Sequence, residues 1–106
     1  SMMGAFQELP AKMQELNARM ESEHVSGAST CGRVEVVANC VGKVQSVTVR
    51  EDGIPKLELE QAILEATNSV GATAKQTYAD AIRQMAADMN LDMPGIDGLL
   101  TSFTGG

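Results

Sequence analysis

Across residues 57–89 the apolar side chains recur at spacings of mostly three and four: Leu59, Ile63, Ala66, Val70, Ala74, Thr77 or Tyr78, Ala81, Met85 and Met89. That period marks one face of an α-helix. A helix over this stretch is about 50 Å long, which exceeds the width of a compact chain of 106 residues. It must project from the body, kink, or lie along a partner. Gly71, beside Ser69, Ala72 and Thr73, is the candidate break point, since glycine costs about 1 kcal/mol relative to alanine inside a helix. Its other meaning is close approach of a second helix at a patch of small residues. Glu58, Glu60 and Glu65 open the segment, where the helix dipole favours negative charge.

The remaining residues arrange themselves around that helix. Eight of the nine valines lie in residues 25–49, while alanine concentrates after residue 60. This separates a β-rich middle from helical flanks. Residues 6–23 carry Phe6, Leu9, Met13, Leu16 and Met20 in a narrow helical seam. Pro10 is comfortable in a first turn, so the regular helix is expected to start near Gln7 to Pro10. Three strands follow, at 24–30, 33–41 and 43–50. The first is polar and interrupted by Gly27, and the second alternates through Val34, Val36, Ala38 and Cys40. Gly42 suits a hairpin turn. In the third, Val44 has the opposite parity from Val47 and Val49. Either a bulge sits near Gln45 and Ser46, or Val44 faces the other side. The expected fold is α+β: helix, three-stranded antiparallel meander, long helix.

Composition limits what such a fold can do alone. Aromatic residues are 3% of the chain and tryptophan is absent, so the core is built from small aliphatic side chains and methionine. A thin core of this kind points to burial against a second copy. The length accommodates a single domain over residues 1–106. Ser1 reads as a tag remnant, with 1–5 and 93–106 expected to be mobile. In the latter segment Ile96, Leu99, Leu100 and Phe103 are able to dock transiently. There is no run of about 20 apolar residues for a membrane span, and no secretory leader is read at the N-terminus.

The case for an enzyme is poor. The chain has one histidine, His24, and no nucleophile elbow, phosphate loop or helically spaced metal pair. Cys31 and Cys40 are nine apart and outside any Cys-x-x-Cys pair, so both are expected as reduced, partly buried thiols. With His24 they supply three ligands, too few for a structural zinc site. No catalytic residue, metal or cofactor is expected.

Ordered along the chain, several short patterns resemble the YbaB/EbfC family of bacterial nucleoid-associated proteins. They are the Met/Leu seam with Met13-Gln14; Val25-Ser26-Gly27 followed by Gly32-Arg33-Val34-Glu35-Val36; Asn39 followed by Val44, Val47 and Val49; and Leu59-Glu60 with Ile63, Ala66 and Asn68. The family's parity slip in the third strand is present too. Cys40 stands where that pattern has a glycine after the asparagine, and Gly42 is displaced. The resemblance implies an intertwined homodimer that binds double-stranded DNA with little sequence preference, in the cytoplasm on the nucleoid. It transfers no catalytic residues.

The net charge of -6 argues against binding DNA through bulk charge. Divided along the chain it is -2 over residues 1–32, +1 over 33–56 and -5 over 57–106. The acid excess therefore belongs to the long helix and tail. Candidate phosphate contacts are Arg33, Lys43, Arg50 and Lys56 near the sheet, or Lys12, Arg19, Lys75 and Arg83 on the helices. Candidate dimer-interface residues are Val34, Val36, Val47, Val49, Ile63 and Val70. The competing reading is a dimeric scaffold without DNA binding, which docks an unidentified protein partner through the apolar seam or Met85, Met89 and Met93.

Overall fold

The computed structural model describes residues 2–91 and 96–104. In chain order it contains α1 (Met2–Ser22), β1 (His24–Ala28), β2 (Val34–Asn39), β3 (Val44–Val49), α2 (Lys56–Asp88) and α3 (Ile96–Thr104). The strands form one antiparallel sheet in the order β1-β2-β3. The fold is α+β, with the long helix laid across the sheet.

Alternation decides which face of the sheet α2 covers. Val34, Val36 and Ala38 of β2 are buried and pack with Ala62, Ala66 and Val70 of α2, flanked by Val25 and Leu59. The helix crosses β1 and β2 at very short range because Gly27 is there. A Cβ at Gly27 would lie 2.9 Å from both the Ala66 carbonyl oxygen and Val70 Cα. α2 runs unbroken through Gly71. Burial of Val70 and Ala74 on either side offsets the roughly 1 kcal/mol that glycine costs there.

The parity slip in β3 is a bulge. Val37 pairs with Ser46 and Ala38 with Val44, leaving Gln45 as the extra residue. Val44, Val47 and Val49 therefore all stand opposite the buried residues of β2 and share the face that α2 packs on. α2 does not reach that far, and all of β3 is exposed.

α1 begins at Met2 and passes through Pro10, rather than starting between Gln7 and Pro10. Pro10 is exposed, so solvent serves the carbonyl that loses its intrahelical donor. Only the second half of the α1 seam is buried. Leu16 and Met20 pack with Cys40 and Ala81, beside Tyr78, Ile82 and Met85, while Phe6 remains exposed.

Asn39 ties α1 to the β2–β3 turn. Its Oδ1 accepts from the Val41 and Lys43 amides at 3.2 and 2.8 Å, and its Nδ2 donates to the Glu21 carbonyl at 3.2 Å. It is one of the two buried polar residues among those described.

α2 ends in a closed cap. Asn90 takes φ 56°, its amide donates to the Ala87 carbonyl, and the Leu91 amide donates to the Ala86 carbonyl at 2.8 Å. This is the paired arrangement that terminates helices at a left-handed residue. Beyond it, α3 packs on α2 with Leu100 buried, inside a stretch that composition marks as a mobile tail. Met93 and its neighbours at 92–95 lie outside the described residues.

Candidate nucleic-acid interface

The eight cations divide by element, and the fold keeps them apart. Arg33 and Arg50 sit together where β2 begins and β3 ends, joined by the Arg50 amide donating to the Arg33 carbonyl at 2.7 Å. Lys56 starts α2 nearby in sequence. Lys43 lies beyond the opposite end of β3, a six-residue strand away, which is about 20 Å. The four bases near the sheet thus form two separate points rather than one patch. On the helices, Lys12 and Arg19 of α1 line one groove with Glu8, Glu15 and Asp88, floored by Leu16, Ala81 and Met85. Its volume is about 540 Å³. Tyr78 holds the two helices together by donating to Asn17 Oδ1 at 2.9 Å.

Neighbouring carboxylates answer most of this positive charge. Arg33 lies 3.0 Å from Glu51 and 3.5 Å from Glu58, and Arg50 lies 3.2 Å from Glu35. Lys12, Arg19, Lys56 and Arg83 each pair with an acid three or four residues away at 2.9–3.9 Å. These pairs are exposed or nearly so, where each contributes at most about 1 kcal/mol. A phosphate displaces such a partner at little cost. Lys43 and Lys75 are exposed and form no ion pair among the described residues. They are the cations most available to an anion.

The interface candidates separate just as clearly. Val34, Val36 and Val70 are at most 2% exposed within the single protomer and belong to its own core. Val47, Val49 and Ile63 are 53%, 45% and 37% exposed, joined by Val44 at 47% and Leu64 at 53%. Val44 and Leu64 are additions to the candidate set. Val44 becomes identifiable once the bulge fixes its face, and Leu64 sits off the main apolar stripe of α2.

Both thiols are free, but their settings differ. Cys31 is exposed, and its Sγ lies 3.3 Å from Ser29 Oγ. That hydrogen bond, followed by one from the Arg33 backbone, holds the Cys31 thiol below its ordinary range. Burial, with a smaller push from Glu23, raises the Cys40 thiol. His24 is exposed at the start of β1. Among the described residues no three His, Cys, Asp or Glu side chains gather as metal ligands. None of the described helices is long and apolar enough to cross a membrane.

Comparison with known proteins places this geometry. A family model described as the YbaB/EbfC DNA-binding family matches residues 1–89. None of the curated proteins matches the chain. Among solved structures, the crystal structure of uncharacterized protein HP0035 from Helicobacter pylori aligns with a TM-score of 0.58 at 16% identity. The alignment covers 83% of this chain and 91% of that one. At that identity the likeness concerns the fold.

Proposed function

The chain belongs to the YbaB/EbfC DNA-binding family, and on that premise we propose that it binds duplex DNA without sequence preference, as a homodimer on the bacterial nucleoid. Family membership carries this reading. The protein works as a binding and organising element rather than as a catalyst.

The bare face of β3 supports the dimer. Val44, Val47 and Val49 are each about half exposed on the side of the sheet that packs the core, and β3 is an edge strand. Completing their burial contributes about 1 kcal/mol per valine. Six such valines in a pair of protomers reach only the lower end of the 4–15 kcal/mol or so that association costs. Edge pairing and the exposed Ile63 and Leu64 therefore have to contribute as well. A partner seated there accounts for the small core, the long helix and the exposed strand together.

For DNA the electrostatics favour weak, salt-sensitive contact. In a dimer, Lys43 and Lys75 supply four bases that need no displacement of an acid, and Lys12 and Arg19 line the α1–α2 groove. Four phosphate contacts give affinities on the order of 10⁻⁴ to 10⁻⁶ M, with about a hundredfold loss between 50 and 200 mM salt. Fluorescence anisotropy with a labelled duplex across that salt range tests the reading. Retained binding to unrelated sequences with a steep salt slope is expected, and an absence of binding at the lowest salt would refute it. The competing scaffold reading draws on the groove floored by Leu16 and Met85. It predicts a protein partner whose capture survives nuclease treatment.

A further inference from the structure

The 14 acidic residues of the chain are unevenly spaced. The two longest stretches without one are residues 36–50 and 66–79. They hold Lys43 and Lys75, the two lysines without an ion pair among the described residues. The first stretch belongs to β2, the turn and β3, whose bare valines are assigned above to a second copy. The second is the middle of α2. Glu58, Glu60 and Glu65 precede it and Asp80 follows. An otherwise acidic helix thus carries about 20 Å of length on which Lys75 is the one charged residue. The fold turns part of this window outward. Ala66, Val70 and Ala74 are buried on one side. At about 100° per residue, Asn68, Ala72 and Lys75 lie within about 60° of one another and about 140–160° from Val70. All three are exposed. Gly71, one turn before Lys75, has nothing within 4 Å of where a Cβ would stand.

We infer that this face of α2, with Lys75 as its charged contact and Asn68 as a neutral one, is where the phosphate backbone of a DNA duplex lies. The inference rests on the DNA-binding reading given above and says where on the molecule the contact is made. Charge complementarity selects the occupant. A polyanion is repelled by the acidic turns at either end of the window and meets no carboxylate between them. Lys75 needs no acid displaced. An amide side chain such as that of Asn68 donates to phosphate oxygens without reading a base, which matches binding without sequence preference. Gly71 and Ala72 stand little above the helix backbone, so a strand has room to approach between the two donors. Asn68 and Lys75 are about 10 Å apart along the axis, the rise of about three nucleotides of one strand. None of the exposed large hydrophobic residues falls in the window, which sets it apart from the apolar centre of a protein-docking face.

Duplex binding by the full-length chain tests this, comparing wild type with Asn68→Asp, Ala72→Glu and the control Gln61→Glu. Each adds one acid per protomer at an exposed position of α2. Asn68→Asp preserves the side-chain shape, and Ala72→Glu sets a carboxylate three residues before Lys75. Gln61→Glu lies on the same side of the helix but among its existing acids. Circular dichroism and sedimentation equilibrium verify the fold and the oligomeric state. Near 50 mM salt, Asn68→Asp is expected to weaken binding at least about threefold and Ala72→Glu at least about tenfold. Ala72→Glu is also expected to lower the logarithmic salt slope by about 2 per dimer, as Lys75 acquires a partner. Gln61→Glu is expected to stay within about twofold of wild type. Wild-type affinity in both Asn68→Asp and Ala72→Glu overturns the inference while leaving DNA binding intact. So does an equal loss in Gln61→Glu, which would mark an effect of bulk charge. Dissociation of a wild-type dimer by Ala72→Glu overturns it too, since the face would then be an interface between copies. Absence of binding by every form, wild type included, at the lowest salt removes the DNA reading and this inference with it.

Discussion

Gly27 leaves no room for a β-carbon: the Ala66 carbonyl and the Val70 backbone already occupy that space. Both obstacles are main chain, so relief requires moving α2 off the sheet. Gly27→Ala is expected to cost about 3 kcal/mol, read as a fall in the urea midpoint with little change in slope. Ser26→Ala, on the exposed side of the same strand, should be nearly neutral. Asn39→Ala removes three hydrogen bonds at the joint between α1 and the β2–β3 turn and is expected to cost about 2 kcal/mol. The cysteines give a pH-dependent contrast. With the Cys31 thiol lowered by Ser29 and that of Cys40 raised by burial, the Cys31 thiolate forms first as pH rises. Alkylation of the native protein, followed by mass spectrometry, should modify Cys31 at a pH below that of an ordinary thiol and spare Cys40. Equal rates at the two sites would contradict the assignment. Gly27 and Asn39 are visible in the sequence as parts of a pattern. Their reasons are not, because each depends on backbone groups from a segment distant in the chain: α2 for Gly27, the end of α1 for Asn39.

At the scale of elements, periodicity conveyed the sheet and the long helix because burial there follows a single face. The bulge at Gln45 was already marked by the parity of three valines. Two features escaped. Pro10 suggested a start for α1 that the exposed helix tolerates passing through. α3 lay hidden in a stretch rich in glycine, where nine residues are too few for a helical stripe to stand out. The continuous α2 supports a direct test. A Cβ at Gly71 meets nothing within 4 Å, so Gly71→Ala should stabilise the protein by about 0.5–1 kcal/mol, seen as a higher Tm. A loss of stability would mean that a second chain approaches there. For β3, Val47→Asp is expected to convert the proposed dimer to monomer in sedimentation equilibrium while the protomer keeps its helical circular dichroism. A dimer of unchanged affinity would remove this face from the interface.

As a whole, the molecule is a lath of 61 × 25 × 14 Å, and its cations are scattered along it. The charge profile of the sequence located the acid excess in the later half, but not the pairing of most bases with carboxylates three or four residues away or across strands. That pairing decides availability. Lys43→Gln and Lys75→Gln are each expected to lower the salt slope of duplex binding by about 2 per dimer, whereas Lys56→Gln should change it little. Titrations across salt separate these outcomes. The exposed β3 also bears on the protein's fate when its concentration falls. Its sequence, VQSVTV, is six residues of high β-propensity without charge, proline or glycine, the composition from which cross-β stacks assemble. Lys43 and Arg50 bracket it on both sides, in the position of gatekeepers that keep such strands from stacking edge to edge. Lys43, a cation that a DNA-binding study would neutralise first, is thus also a guard against fibrils, and removing it together with Arg50 is expected to shorten the lag of thioflavin-positive aggregation in dilute protein.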